Sequence, residues 1–554
     1  MLFSFDRLCS LAVLLSLLSL SQAGVVTRQS RPGGPGGWGG GGGGGGGWGG
    51  GGGWGGQDPL LWVNTTSGYV SGMKLNNSYA WLGIPYGNPT SGSNRFRPPT
   101  PVSYASYPIN ATSFGPSCPQ WVDAAGVKSN AFGGIPSPPL SQQSEDCLSI
   151  NVWSKASTRS AASTHTNGSG GAAVLLWVYG GSFENGRSSQ KYFNFQNFVE
   201  SQDDVILVSF NYRTSIFGFP LSPQIKAMDA NIGWNRGLED RDLAIKWVAN
   251  NIAAFGGDPK RITLVGQSAG GASVDAWAFA NANNASPLVQ ATIIQSGVVS
   301  GLDIALADTE ADFSAPTSKW NQAANSSLIN CGTRNDAAQL QCMQNVPFAN
   351  LLNVAVQLRL TFGPNADNVL YFNDWKARSS AGKVAKVPTL IGTNSEEATI
   401  LSGLWDTNTT QMIAYSNSIT PFIFTCPAKQ EAADRVSAGV PTFRYQYHGN
   451  WENFNQGYPA LGAYHFSEVP IIFNSFPSSY VGDPSHPVTI PSAERQVSAF
   501  MQGAWAAFAR DPVNGLPNYG WPRYSPSTAS VAQIALNNSG TTVYQPASSV
   551  DQGC

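Results

Sequence analysis

Ser268 sits at the centre of Gly266-Gln267-Ser268-Ala269-Gly270, a G-x-S-x-G sequence. The apolar run Ile262, Leu264 and Val265 before it has the composition of a buried strand, and small, helix-compatible residues continue after it through Ala280. A sharp strand-to-helix turn lifts a serine hydroxyl to where a base can reach it, and it aims the next helix N-terminus at any developing anion. In a chain with 61 glycines the pattern alone is equally compatible with an ordinary turn, so its partners must decide. A nucleophilic serine of this type needs an acid and then a histidine, in that chain order. Val387–Ser395, VPTLIGTNS, reads as a strand followed by Glu396 and Glu397, two carboxylates at a sheet's C-terminal edge. The chain has four histidines. His165 lies in a Ser/Thr/Gly/Ala stretch and His486 precedes a proline, so both read as loop residues. His448 ends the strand Thr442–Tyr447, in which Phe443, Tyr445 and Tyr447 are expected to face inward and Arg444, Gln446 and His448 the other way. His465, in the following stretch LGAYHFSEVPIIF, completes the order.

Several elements must hold these residues. Val174–Gly186, VLLWVYGGSFENG, reads as a central parallel strand ending in a glycine turn whose N–H groups can face a pocket. Val205–Tyr212 and Ile293–Gly297 are further core strands, and Leu238–Asn251 is an amphipathic helix. Leu60–Val63 and Gly68–Met73 read as an opening hairpin, and Phe500–Tyr524 contains a packing helix. Strands alternating with helices indicate the α/β class.

Trp81–Pro99 (WLGIPYGNPTSGSNRFRPP), Ser144–Trp153 (SEDCLSINVW) and Asn251–Gly271 (NIAAFGGDPKRITLVGQSAGG) together resemble the type-B carboxylesterase/lipase family, of the fungal secreted type. The resemblance runs from about Trp62 to Tyr524. It implies an α/β-hydrolase fold, with a large central, mostly parallel sheet flanked by helices. It also implies a catalytic triad of Ser268, Glu397 and His465, the histidine lying in the family's G-x-x-H-x-x-E pattern. By the same resemblance the N–H groups of Gly181, Ser182 and Ala269 form an oxyanion hole, and Arg95–Glu145 and Arg213–Asp240 are structural ion pairs. No metal or cofactor is implied. The chain departs from the family in three places: YGGS for a commoner HGGG or FGGG, Ala398 for the glycine after the acid, and Gln267 for a glutamate before the serine. The neutral Gln267 weakens the negative field and argues against a cationic choline substrate.

The activity implied is cleavage of carboxylic esters through an acyl-enzyme. Cys118–Cys147, the lid-bearing stretch of family lipases, is rich in Gly, Pro, Ser and Gln and lacks an apolar stripe, which favours an esterase on small, medium-chain or aromatic esters over a lipase or sterol esterase. A non-catalytic, neuroligin-like binding module is the alternative of another class, and the three triad residues at matched positions argue against it.

Residues 1–23 have the build of a signal peptide, with Arg7, the apolar run Leu11–Leu20 and Ser21-Gln22-Ala23. Residues 24–57 form a Gly-rich, Trp-punctuated stretch expected to be a disordered linker, and residues 58–554 the hydrolase domain. A net charge of −2 with scattered cations excludes a nucleic-acid partner, and no later stretch is apolar enough to span a membrane, so a secreted, soluble enzyme acting on a small-molecule or lipid ester is expected. Removal of Cys9 with the signal leaves six cysteines. Their simplest pairing is Cys118–Cys147, Cys331–Cys342 and, by elimination, Cys426–Cys554. Sequons start at Asn64, Asn76, Asn110, Asn167, Asn284, Asn325, Asn408 and Asn537, in keeping with a secreted glycoprotein.

Overall fold

The computed structural model describes residues 58–554 except 122–137, 163–169, 230–231, 307–309, 404–406, 456, 477–478 and 481–482. The expected signal peptide and linker, His165, Asn167 and most of the Cys118–Cys147 loop lie outside the described residues.

β1 (Trp62–Thr65) and β2 (Gly68–Ser71) form the opening antiparallel hairpin, slightly displaced from the expected bounds, and β5 (Ile109–Asn110) joins β2 in parallel. The main sheet contains β3 (Met73–Lys74), β4 (Ser78–Pro85), β6 (Ser149–Lys155), β7 (Ala172–Val178), β8 (Val205–Phe210), β9 (Gly257–Gln267), β10 (Ala291–Gln295), β11 (Thr389–Asn394), β12 (Thr442–Tyr447), β15 (Ala529–Ile534) and β16 (Val543–Pro546). Its 11 strands run in the order β16-β15-β12-β11-β10-β9-β7-β8-β6-β4-β3. The continuous block from β15 to β8 is parallel, and the antiparallel strands are confined to the two ends. β13 (Ser479–Tyr480) and β14 (Asp483–Pro487) make a separate two-stranded ribbon, which places His486 in a strand rather than the expected loop.

Every residue of β7, β8, β10 and β11 is buried, so both faces of the sheet's centre are covered, in keeping with the apolar stretches at the heart of these strands. The helices Arg236–Asn251 and Ala269–Ala280 pack on β9, and Ser492–Arg510 packs on β7, β8 and β9. β12 also departs from its expected inside-out alternation, because all six of its residues are buried. Arg444, on the side read as outward, is covered and makes a two-pronged contact with Asp551 at 2.8 and 2.9 Å. A paired guanidinium can be buried where a lone one cannot, and the partner comes from the far end of the chain.

Three disulfides join Cys118 to Cys147, Cys331 to Cys342 and Cys426 to Cys554, with Cα–Cα separations of 5.0, 5.7 and 5.3 Å. Arg95 binds the partly buried Glu145, and Arg213 binds the buried Asp240 at 2.7 and 2.9 Å. They tie loops to the sheet and take no part in the site.

Candidate active site

The site forms where parallel strands end together. β9 delivers Ser268, β7 delivers the glycine loop, and β11 and β12 lead into the segments carrying Glu397 and His465. The C-terminal edge of such a sheet is where α/β proteins bind ligands.

Ser268 has φ 58° and ψ −129°, a region that only a sharp, constrained turn imposes on a residue with a Cβ. Its N–H donates to Gln295 O at 2.9 Å, and the helix Ala269–Ala280 starts immediately after it. Gly270 has to be a glycine, because a Cβ there would run into the carbonyl of Val178 at the end of β7. The elbow is thereby pressed against the strand that feeds the glycine loop. Gly180 also lies close to the elbow, with an added Cβ falling 2.6 Å from Gln267 O and 2.8 Å from Ser268 Cβ.

Glu397 and His465 meet directly. His465 Nδ1 lies 2.6 Å from Glu397 Oε2, while Glu397 Oε1 accepts from the Asn394 N–H at 2.7 Å. Glu397 is fully buried and His465 nearly so. The neighbouring Glu396 points elsewhere, accepting from Ala463 N–H at 2.9 Å and from the Ser395 hydroxyl. His448 is also elsewhere, with Nε2 2.9 Å from Gln533 Oε1.

The other ring nitrogen of His465 faces Gln267. Gln267 Nε2 lies 3.2 Å from His465 Nε2, and no hydrogen bond joins the imidazole to Ser268 Oγ among the described residues. The structure thus brings His465 and Glu397 together and sets Ser268 one residue from Gln267, the group that meets the other ring nitrogen. Hydrogen bonds between nucleophile and base are commonly unmade before substrate arrives.

In the glycine loop Gly181 has φ 115°, followed by Ser182 at 56° and Phe183 at 61°. Three successive residues with positive φ turn the chain sharply, and the side chain of Phe183 is anchored in the core. The N–H groups of Gly181, Ser182 and Ala269 donate to no protein acceptor among the described residues, which leaves them available to an anion.

Two neighbours of the site had no role read from sequence. Glu468, in the stretch after His465, accepts from Asn394 Nδ2 at 2.7 Å and Gln295 Nε2 at 3.2 Å. Burial, with Glu397 close by, pushes its carboxyl up to about 7. The ring of Phe424 packs on the His465 ring at 5.1 Å between centroids. Phe424 comes from a π-helical turn, Thr420–Thr425, and such turns often occur beside functional sites. Its remoteness in the chain leaves no local signal for this contact. Gln267 was legible only as a departure in charge.

The Carboxylesterase family model matches residues 60–414 and 403–550. The chain belongs to this family. It is a carboxylic ester hydrolase with an α/β-hydrolase fold. This carboxylesterase is 30% identical to Secreted lipase 5 of Gibberella zeae over 519 residues, 88% of this chain and 93% of the relative. It is 32% identical to Chlorogenic acid esterase of Aspergillus niger over 471 residues, 82% and 83% of the two chains. Among solved structures it is similar to a PNB esterase, with a TM-score of 0.68 and 25% identity across 89% of this chain and 99% of that one. A non-catalytic binding role is set aside by these relatives. No helix among the described residues of the carboxylesterase is long and apolar enough to cross a membrane.

Proposed function

We propose that this carboxylesterase is a secreted serine hydrolase working through Ser268, His465 and Glu397. The contact between His465 Nδ1 and Glu397 Oε2 at 2.6 Å carries the reading, because it fixes the tautomer whose lone pair lies on Nε2, the nitrogen that acts as base. His465 takes the Ser268 proton as the serine oxygen attacks the ester carbonyl. The N–H groups of Gly181, Ser182 and Ala269 receive the oxyanion, and each such donor contributes about 2.7–4 kcal/mol in the transition state. The alcohol leaves with the proton from His465, and water then hydrolyses the acyl-enzyme by the same route.

The preferred substrates are small, medium-chain or aromatic esters. The Gly/Pro/Ser/Gln composition of Cys118–Cys147 supports this, and the likeness to Chlorogenic acid esterase is in keeping with it. The likeness to Secreted lipase 5 favours a second reading, lipolysis of long acyl esters, and supports passage through the secretory pathway. Of the sequons, Asn64, Asn76, Asn110, Asn284, Asn325 and Asn537 are exposed and are proposed to carry glycans.

Hydrolysis of p-nitrophenyl esters from acetyl to palmitoyl tests both readings. Wild-type activity should fall with chain length, and Ser268→Ala should lose about six orders of magnitude in kcat, since the triad acts as a unit. A rate that rises with chain length and jumps when droplets form would favour lipolysis. A Ser268→Ala variant as active as wild type would overturn the assignment of the serine.

A further inference from the structure

We propose that Gln267 is a positioning residue for the base: its carboxamide caps His465 Nε2 in the resting enzyme, keeps a proton off that nitrogen, and so sets the acid limit of ester hydrolysis. The inference rests on His465 being the base.

The contacts around the ring fix its chemistry. Glu397 Oε2, 2.6 Å from Nδ1, requires a proton on Nδ1. The neutral ring then presents a bare lone pair at Nε2. Gln267 meets it with the N–H side of its carboxamide at 3.2 Å, the orientation that this network selects. Turned around, Gln267 Oε1 would face that lone pair and no bond could form. The side chain has little latitude, being 2% exposed. Its Oε1 lies 3.1 Å from where a Cβ on Gly180 would stand, so the absence of a side chain at Gly180 makes its room.

The charged groups around His465 make the neutrality of Gln267 matter. Glu397 touches Nδ1, Glu468 acts on the ring from the stretch just after it, and the Phe424 ring covers it with no charge. Among the described residues only Gln267 meets Nε2, and an amide N–H there competes with the incoming proton. During the reaction the Ser268 O–H replaces the amide N–H on Nε2, so one neutral donor exchanges for another and no proton is gained or lost. A carboxylate at position 267 would behave differently. It and Nε2 would share a proton, and whichever of them carried it, the base would stay blocked until that proton left.

The test is the pH dependence of kcat/KM on p-nitrophenyl butyrate for wild type, Gln267→Glu and Gln267→Met. The pH dependence of Ser268 labelling by an organophosphate is measured in parallel. Gln267→Glu should move the acid limb of both profiles up by about one pH unit or more, with the rate recovering at alkaline pH. Gln267→Met, of similar length and without donor or charge, should move it by less than half as far. A merely structural role for Gln267 would lower the rate at every pH and leave the limb in place. Superimposed limbs for wild type and Gln267→Glu would overturn the proposal, as would a folded Gln267→Glu variant inert to ester and reagent up to pH 10. Failure of the underlying reading looks different, since His465→Ala would then retain wild-type hydrolysis.

Discussion

Two adjacent glutamates follow β11, and their surroundings assign them different work. Glu397 is fully buried, with one carboxylate oxygen on His465 and the other on the Asn394 N–H. Glu396 braces the backbone of the loop that carries His465, through Ala463. Glu397→Gln keeps the shape but presents an amide that can donate where Nδ1–H also donates, which favours the wrong tautomer. It should lower kcat by about 10⁴-fold. Glu396→Gln can still accept from Ala463 with its amide oxygen, so steady-state kinetics on p-nitrophenyl butyrate should show only a small loss. Equal losses in the two variants would reverse the assignment. The serine and histidine are legible in the sequence because local patterns surround them. The cap by Gln267 and the cover by Phe424 are not, because each depends on a side-chain direction set by segments remote in the chain.

The same division holds for elements. β7 and β8 can be read directly, since each carries the long apolar run of a strand buried on both faces, while β10 and β11 carry shorter ones between polar residues. β12 misleads, because Thr442, Arg444 and Gln446 have the look of a solvated face and are covered all the same. Arg444 is buried by virtue of Asp551, a residue 107 positions away that follows the short helix Ala547–Val550. Asp551→Ala therefore strands a guanidinium in the core and should cost about 3–5 kcal/mol of unfolding free energy. Urea denaturation measures it. The double variant Arg444→Met/Asp551→Leu removes both charges and should recover most of that loss. If it were as unstable as the single variant, the cost would come from lost packing rather than from an uncompensated charge.

At the scale of the whole molecule, stability should depend on pH through carboxyls that folding makes less acidic. Burial pushes Glu239, Glu468 and Glu494 from 4.5 up to about 7. Above about 4.5 the unfolded chain releases these protons while the folded protein keeps them, so each group's contribution to stability falls as pH rises and levels off above about 7. Asp58, Asp203 and Asp511 are shifted the other way by their hydrogen bonds, but they lie near the surface, where solvent screens the effect. Glu494 isolates the cause best, because it stands apart from the triad and holds one neutral partner, Asn453 Nδ2 at 2.9 Å, while its other oxygen is buried without a hydrogen bond. Glu494→Gln keeps the shape and removes the titration. Its Tm should match wild type at pH 4.5, where both side chains are neutral, and exceed it at pH 8, where only the glutamate carries a buried charge. The difference between the two melting curves should open across the interval from 4.5 to about 7. A Tm difference independent of pH would mean that the substitution acts through packing and that Glu494 does not drive the acid-side gain in stability.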